Sequence, residues 1–271
     1  MTTSNRDAHF VGSLPTIYEA YLVPLIFEPY AADMASRLAS RSPGTVLEIA
    51  AGTGVVTRAL AATLPKSVAI TGTDLNQAML DEAGSRPIAR PVEWRKADAM
   101  RLPFDDGVFD AVVCQFGAMF FPDKPKAFSE ARRVLRPGGL FIFNVWDRIE
   151  TNEFADVTTK ALEPMFPQSP PRFLVRTPHG YHDRQAIERD VKQGGFAAAE
   201  LVTVAARSRA ESPQAPAIGY CQGTPLRNEI EAHGPALLER ATGVAAEAIA
   251  ARFGQGAVDG GIQAIVVTAE K

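Results

Sequence analysis

The sequence feature that most constrains the fold is an alternation of short β-rich runs with segments of helical periodicity. Five such runs occur in order: Thr45–Ala50, Ser67–Thr73, Val92–Lys96, Phe109–Gln115 and Leu140–Val145. The last two are continuously apolar, as expected of strands that are buried on both faces. With helical segments between most of the runs, this order predicts a parallel sheet covered by helices on both faces.

The rest of the sequence predicts several helices, one turn and two further strands. An N-terminal helical segment is predicted over Thr16–Leu38, where Pro24 and Pro29 are expected to break it into pieces, and Arg136–Gly139 (RPGG) is predicted to be a stop and turn. The other predicted helices are Val55–Leu64, Asn76–Ser85 with Asn76 as its cap, Pro125–Leu135, Asn152–Phe166, Asp183–Gly194 and two or three within 210–256. Two further strands are predicted at Ala198–Ala206 and Gly260–Ala269.

Composition excludes several classes of protein. The 271 residues suffice to bury a core without disulfides or metal, and a net charge of −3 argues against a general nucleic-acid binder. No apolar run reaches the ~18–20 residues of a membrane span, and the N-terminus lacks a secretory signal pattern. Cys114 and Cys221 have no Cys or His at metal-ligand spacing. We therefore expect a cytoplasmic protein with no metal and no membrane or nucleic-acid partner.

Two features point to a nucleoside-containing ligand. Gly52 and Gly54 follow the first strand and precede a helix, where glycine lets the backbone approach a ligand closely. Asp74 ends the second strand, 20 residues after Gly54, and a carboxylate there can accept both hydroxyls of a ribose. Each feature also has a plain structural interpretation, a tight turn for the glycines and a helix cap for Asp74. Their joint position favours the ligand.

The residues leave a dinucleotide or S-adenosylmethionine as the ligand. A pyrophosphate binder places a third glycine where this chain has Thr57, and the nearby Glu48 would repel a diphosphate. The same acid suits a cofactor with a positively charged end.

Five segments together resemble the motifs of class I S-adenosylmethionine-dependent methyltransferases, in particular those of the ubiquinone/menaquinone-biosynthesis type, which act on small molecules. The glycine-rich motif departs from the family in having Ala50 at the usual first glycine. The resemblance covers about residues 44–146. The five segments are Val46–Gly54 (VLEIAAGTG), Gly72–Met79 (GTDLNQAM), Lys96–Phe104 with KADA and LPF, Phe109–Phe116 (FDAVVCQF) and Arg133–Gly139 (RVLRPGG).

The resemblance implies a set of cofactor-binding residues. Asp74 takes the ribose, with Leu75 and Met79 against the adenine, while Asp98 and Ala99 meet the adenine amino group. The methionine part lies near Glu48, Ala50, Gly52 and Gly54, and Gln115 and Phe116 line the sulfonium side. Tyr21, on the N-terminal segment, is a further candidate because an aromatic ring or hydroxyl can contact a cation.

The resemblance also implies the fold. It is a doubly wound, Rossmann-like α/β sheet of seven strands, mostly parallel, whose last strand is antiparallel. We expect one methyltransferase domain over 1–271, with a core of 44–147 and 183–271, a helical lid at 10–40 and a helical substrate cover at 210–256. Methyl transfer needs no protein nucleophile, so no catalytic residue is predicted. The alternatives are a non-catalytic S-adenosylmethionine sensor or scaffold and a nicotinamide-dependent dehydrogenase.

The acceptor is expected to be a small, largely apolar or aromatic metabolite. Apolar walls with a few polar groups are usual in small-molecule sites. The candidates are the N-terminal segment, the loop Pro178–His182 with its two histidines, and the helical segment before the last strand. Aromatic and apolar residues in these pieces are Tyr18, Tyr21, Phe27, Met165, Phe166, Phe173 and Tyr181.

Overall fold

A computed structural model describes Asp7 and residues 12–271 of the chain. The helices are α1 Leu14–Ile17, a π-helix Tyr18–Phe27, α2 Glu28–Ala39, α3 Val55–Thr63, α4 Gln77–Ser85, α5 Lys124–Val134, α6 Glu153–Leu162, α7 Phe173–Arg176, α8 Arg184–Gln193, α9 Gln214–Gln222, α10 Leu226–Glu231 and α11 Leu237–Phe253. Short 3₁₀ turns lie at Ala118–Phe120, Ile149–Thr151 and Glu163–Met165. The three helices within 214–253 confirm the prediction for that segment.

The strands form one seven-stranded sheet in the order β3-β2-β1-β4-β5-β7-β6. β1 pairs with β2 and β4, β2 with β3, and β4 with β5, all in parallel. The final strands are antiparallel, which confirms the predicted fold class. The strands are β1 Thr45–Ile49, β2 Ala69–Asp74, β3 Glu93–Lys96, β4 Phe109–Gln115, β5 Leu135–Trp146, β6 Glu200–Ala210 and β7 Val258–Glu270.

The chain divides into two compact units. The sheet unit consists of residues 28–145, 181–203 and 265–271, and it holds β1 to β4, nearly all of β5, and the helices α2 to α5 and α8. The helical unit consists of Asp7 and residues 12–27, 146–180 and 204–264, and it holds the remaining helices. In the sheet unit the parallel strands carry a core of buried apolar side chains that includes Val46, Leu47, Val112, Phe141 and Phe143.

The prolines do not break the N-terminal helical segment as predicted. Residues 14–39 are helical throughout, and Pro24 lies inside the π-helix. In an α-helix the ring of a proline clashes with the carbonyl four residues earlier. A π-helix pairs residues five apart, and this wider turn accommodates the ring. The second half of the predicted lid, α2, belongs to the core of the sheet unit, where Tyr30, Met34 and Leu38 are buried.

The segment Arg136–Gly139 is not the stop and turn that its sequence predicts. It lies inside β5 as a bulge, because Phe109 pairs with Leu135 whereas Ala111 pairs with Leu140. A bulge of this kind leaves extra residues on one strand without a partner in the ladder. Here their backbone groups bind the end of the chain: Gly138 N–H donates to the Lys271 oxygen at 2.9 Å, and Lys271 N–H donates to the Gly139 oxygen at 3.0 Å.

Trp94 on β3 covers a glycine on the neighbouring strand. Gly72 lies directly opposite Trp94 in the register, and a Cβ at Gly72 would lie 2.5 Å from the Trp94 ring. The indole therefore uses the space that a side chain on β2 would fill. This contact fixes β3 against β2 at the edge of the sheet.

We predict opposite effects for two glycine substitutions in this region. Gly72→Ala should destabilise the fold by about 1–3 kcal/mol, because the new methyl group must displace the Trp94 ring. Gly84→Ala, on α4, meets no atom within 4 Å and should stabilise by about 0.5–1 kcal/mol by removing a glycine from a helix. Urea denaturation measures both, and equal free energies of unfolding for the two variants would contradict the packing assigned to Trp94.

Candidate active site at the carboxyl ends of the parallel strands

The loop after β1 is built from alternating left-handed residues. Ala50, Gly52 and Gly54 have φ values of 55°, 56° and 83°. A left-handed conformation costs a non-glycine residue roughly 1–2 kcal/mol, so Ala50 is held in place by its surroundings. One of the restraints is the N–H of Ala51, which donates to the Thr73 oxygen at 2.8 Å. The loop thus keeps the shape of a glycine-rich turn despite the alanine.

The two loop glycines have different surroundings. A Cβ on Gly52 would meet no atom within 4 Å, so the loop borders open space there. A Cβ on Gly54 would lie 2.7 Å from the Trp94 ring and 3.2 Å from Ala83. Gly52 is therefore the residue where a ligand could approach the backbone, whereas Gly54 is required by internal packing.

Asp74 joins the end of β2 to this loop. One carboxylate oxygen accepts the Gly52 N–H at 2.9 Å, and the other accepts the Asn76 N–H at 2.8 Å. Burial raises the pKa of Asp74, and the backbone N–H groups of Asn76 and Gly52 oppose that rise. A carboxylate offers about four acceptor positions, and the two backbone bonds do not fill them.

Asn76 occupies the N-cap position of α4, as predicted, but its side chain does not make the capping hydrogen bond. Its Nδ2 instead lies 3.4 Å from the Asp74 carboxylate. The residue therefore supports Asp74 more than it caps the helix.

Glu48 is enclosed beneath the loop. The side chain is 1% exposed, and Thr57 on α3 donates its hydroxyl hydrogen to the carboxylate. Burial raises the pKa of Glu48 to about 8. Thr57, the residue in the place of the third glycine of a dinucleotide motif, is thus the hydrogen-bond partner of Glu48. Direct contact between Glu48 and a cofactor stays a prediction.

The expected adenine side has one distinctive feature. Leu75 is 48% exposed and is the only large hydrophobic side chain described in the structure that is exposed. Asp98 is exposed, and its Oδ1 accepts the Met100 N–H at 2.9 Å. Ala99 is half-buried, whereas Met79 is buried within α4. Leu75 is therefore better placed than Met79 to offer an apolar surface to a ligand.

At the end of β4, Gln115 is buried and Phe116 adopts a left-handed conformation with φ 51°. The Phe116 ring meets Tyr30 edge-to-face, with the ring centroids 5.3 Å apart. The Phe116 N–H donates to Asn144, a residue at the end of β5 that sequence reasoning missed. The available signal was a lone polar residue within the apolar run LFIFNVW.

The predicted residues outside these strand ends are divided between the two units. Tyr21 is half-buried on the π-helix of the helical unit, and its cofactor contact stays a prediction. In the sheet unit the Tyr181 hydroxyl donates to Asp190 at 2.8 Å. In the helical unit His179 is buried, and its Nδ1 donates to the Asp147 oxygen at 2.8 Å.

The other predicted pocket residues are packed within the helical unit. The rings of Tyr18 and Phe27 stack with centroids 4.9 Å apart, and the Phe166 ring lies 4.5 Å from that of His233. Phe173 is 1% exposed, and Met165 is half-buried. Each of these contacts is consistent with ordinary packing, so a substrate role for any one of them stays a prediction.

Two kinds of feature are absent from the described part of the chain. Residues 12–271 and Asp7 contain no group of three His, Cys, Asp or Glu side chains that could hold a metal ion. Within the same part of the chain, no helix has both the length and the apolar character needed to cross a bilayer.

The segment that contains these strand ends is similar to proteins of known family. Residues 47–143, which lie within the sheet unit, match the family described as "Methyltransferase domain". This segment contains the β1 loop, Asp74, Asp98 and the end of β4. This segment of the chain is therefore similar to a methyltransferase domain.

Named methyltransferases are similar to the chain over a comparable length. The chain is 38% identical over 112 residues to demethylmenaquinone methyltransferase of Deinococcus radiodurans, covering 40% of this chain and 45% of the relative. It is 34% identical over 134 residues to the ubiquinone/menaquinone biosynthesis C-methyltransferase UbiE of Brucella anthropi, covering 48% of each. The chain therefore matches these relatives over about half of their length.

A solved structure shows that the likeness in fold extends further. The YcgJ protein of Bacillus subtilis superimposes with a TM-score of 0.57 at 20% identity, covering 90% of this chain and 98% of that chain. At this level of identity the comparison concerns the fold alone.

The folded chain should lose stability as pH rises, and Glu48 should be one cause. Because the pKa of Glu48 is about 8 in the folded chain against an ordinary value of 4.5, the folded chain keeps a proton that the unfolded chain releases between those values. A single group of this kind lowers stability by at most about 1.4 kcal/mol per pH unit in that window. Glu48→Gln should therefore flatten the decline.

The measurement is urea denaturation of both proteins at pH 5 and pH 8. Glu200→Gln, at the exposed start of β6, is the matched control and should leave the decline unchanged. An equally steep decline in Glu48→Gln would show that Glu48 does not hold the proton.

Proposed function

We propose that the chain transfers a methyl group from S-adenosylmethionine to a small-molecule acceptor. The observation that carries the proposal is the arrangement around Asp74: a buried carboxylate hydrogen-bonded to the glycine loop, beside open space at Gly52 and next to the exposed Leu75. These are a hydroxyl acceptor, an accessible backbone and an apolar surface within two short segments. A ribose, an amino acid and a purine require those three features.

The described residues fit the cofactor. Asp74 would accept hydrogen bonds from the ribose hydroxyls, Leu75 would cover one face of the adenine, and Asp98 would accept from its amino group. The left-handed loop at Ala50 and Gly52 would hold the methionine part. Phe116 would face the sulfonium side. Glu48 is enclosed by Thr57, so we propose that it acts by shaping the loop and by its charge state.

Thr57 also favours S-adenosylmethionine over a dinucleotide. A dinucleotide fold keeps a glycine at this position so that the helix can pack closely beneath a diphosphate. Here a side chain fills the position and holds an acid next to the loop. The filled position disfavours the close helix packing that a diphosphate site needs.

The bound cofactor supplies a methyl group that is already activated by a positive sulfur. The protein then has to align the acceptor with that carbon and to exclude water, because positioning alone can lower the barrier by roughly 7–11 kcal/mol. Since charge disperses in this displacement, a dry apolar environment favours an anionic nucleophile. An acceptor that must lose a proton first would also need a base.

The relatives make a quinol-type ring the leading acceptor class. Two of them carry names for methylation of demethylmenaquinone or in ubiquinone/menaquinone biosynthesis. A small aromatic acceptor is consistent with the apolar residues of the N-terminal segment and of 210–256, which we propose to cover the substrate. The negative net charge of −3 is unsuited to a nucleic-acid substrate. We place the reaction in the cytoplasm.

Replacing Asp74 tests the cofactor site. Asp74→Ala should weaken binding of S-adenosylhomocysteine by about 1.5–3 kcal/mol, because two charge-assisted hydrogen bonds to the ribose are lost. Isothermal calorimetry measures the change. Asp81→Ala, on the exposed face of α4, is the matched control and should bind as the unmodified protein does. If the two variants bind S-adenosylhomocysteine with equal affinity, Asp74 does not contact the cofactor.

Ligand selectivity tests the proposed function as a whole. The unmodified protein should bind S-adenosylmethionine and S-adenosylhomocysteine and should bind NAD much more weakly or not at all. Tighter binding of NAD would contradict the proposal. Transfer of a labelled methyl group to a demethylquinol then distinguishes an enzyme from a sensor that binds the cofactor without turnover.

A further inference from the structure

The end of β5 contains a polar side chain that its surroundings do not require. Asn144 is 1% exposed, and the strand residues from 140 to 143 and Val145 are buried and apolar. Burying an amide in an apolar strand costs free energy unless its hydrogen bonds are made. The function of Asn144 should therefore follow from the bonds that it does make.

Asn144 holds the backbone of Phe116. The Phe116 N–H donates to the Asn144 backbone oxygen at 3.1 Å and to its side-chain Oδ1 at 2.9 Å. Because an N–H group requires an acceptor, these contacts fix which end of the amide is oxygen. The other end, Nδ2, is buried and has no hydrogen-bond partner within the part of the chain that the structure describes. The amide oxygen thus binds the Phe116 N–H, while the amide nitrogen is left without an acceptor.

Phe116 needs this support because of its conformation. Its φ of 51° is uncommon for a residue with a large side chain. The following residue, Gly117, is pressed against the β1 loop, where an added Cβ would collide with the side chain of Ala50. Ala50 is itself left-handed. The turns after β1 and β4 therefore hold each other in place, and Asn144 is the hydrogen-bonding anchor of the second turn.

We infer that Asn144 is a positioning residue that keeps Phe116 in the left-handed conformation and so keeps its ring on the sulfonium side of the cofactor. The inference rests on the proposed function. An aromatic ring attracts a cation at its face. The arrangement should therefore favour S-adenosylmethionine, which carries the sulfonium, over S-adenosylhomocysteine, which does not.

The test compares the affinities of the two ligands by calorimetry in three variants. Asn144→Leu removes both amide groups. It should lower the affinity for S-adenosylmethionine, relative to that for S-adenosylhomocysteine, by about three- to tenfold. Phe116→Leu should lower this affinity ratio by a similar factor. The double variant should shift the ratio no further than either single change, since both act on one contact. Asn144→Asp keeps an acceptor oxygen for the Phe116 N–H. Its affinity ratio should therefore be close to that of the unmodified protein.

Stability is the second readout. Asn144→Leu removes a lone buried donor, so its melting temperature should be close to that of the unmodified protein while the affinity ratio falls. If Asn144→Leu does not fold, Asn144→Ser replaces it, because the shorter side chain does not reach the Phe116 N–H.

The inference would be overturned by an unchanged affinity ratio in the Asn144 variant, whether both ligands keep their affinity or both bind equally less tightly. Failure of the unmodified protein to bind either ligand would instead overturn the proposed function on which the inference rests.

Discussion

The hydrogen bond from the Gly52 N–H to the Asp74 carboxylate is the interaction on which the proposed cofactor site depends. It connects the loop after β1 with the end of β2 at a distance of 2.9 Å. Since the two strands are parallel neighbours, their carboxyl ends meet at one edge of the sheet, and this bond sets the loop relative to the acid. The Asn76 N–H on the other carboxylate oxygen completes the anchor.

Costly features are concentrated at this same edge. Glu48, Asp74 and Asn144 are buried polar side chains, and Ala50 and Phe116 have left-handed backbones. Each buried polar group or strained residue costs about 1–3 kcal/mol unless it is compensated. The apolar core of the sheet unit offsets these costs. Such a concentration is typical of a site where stability is given up for function.

Sequence patterns were sufficient for the features that depend on neighbouring residues. The apolar run Phe109–Gln115 became β4 with those same bounds, and Asp74 closes β2 as expected. The features that were missed depend on pairing between distant segments. Nothing near Trp94 in the sequence shows that its ring covers Gly72, and the bulge at Arg136–Gly139 depends on hydrogen bonds to Lys271, more than 130 residues away.

The roles of individual site residues were only partly predictable for the same reason. A carboxylate after a strand indicates a ligand-binding position, but the enclosure of Glu48 by Thr57 becomes visible only when β1 and α3 pack together. Asn144 was missed because its partner, Phe116, is 28 positions away on the neighbouring strand.

Binding of S-adenosylmethionine at this strand edge is tested most directly by a crystal structure of the protein with S-adenosylhomocysteine. Both ribose hydroxyls should lie within hydrogen-bonding distance of the Asp74 carboxylate, with the adenine against Leu75 and the amino acid part beside Gly52. A complex in which the ligand lies elsewhere, with Asp74 bonded only to Gly52 and Asn76, would contradict the proposed site.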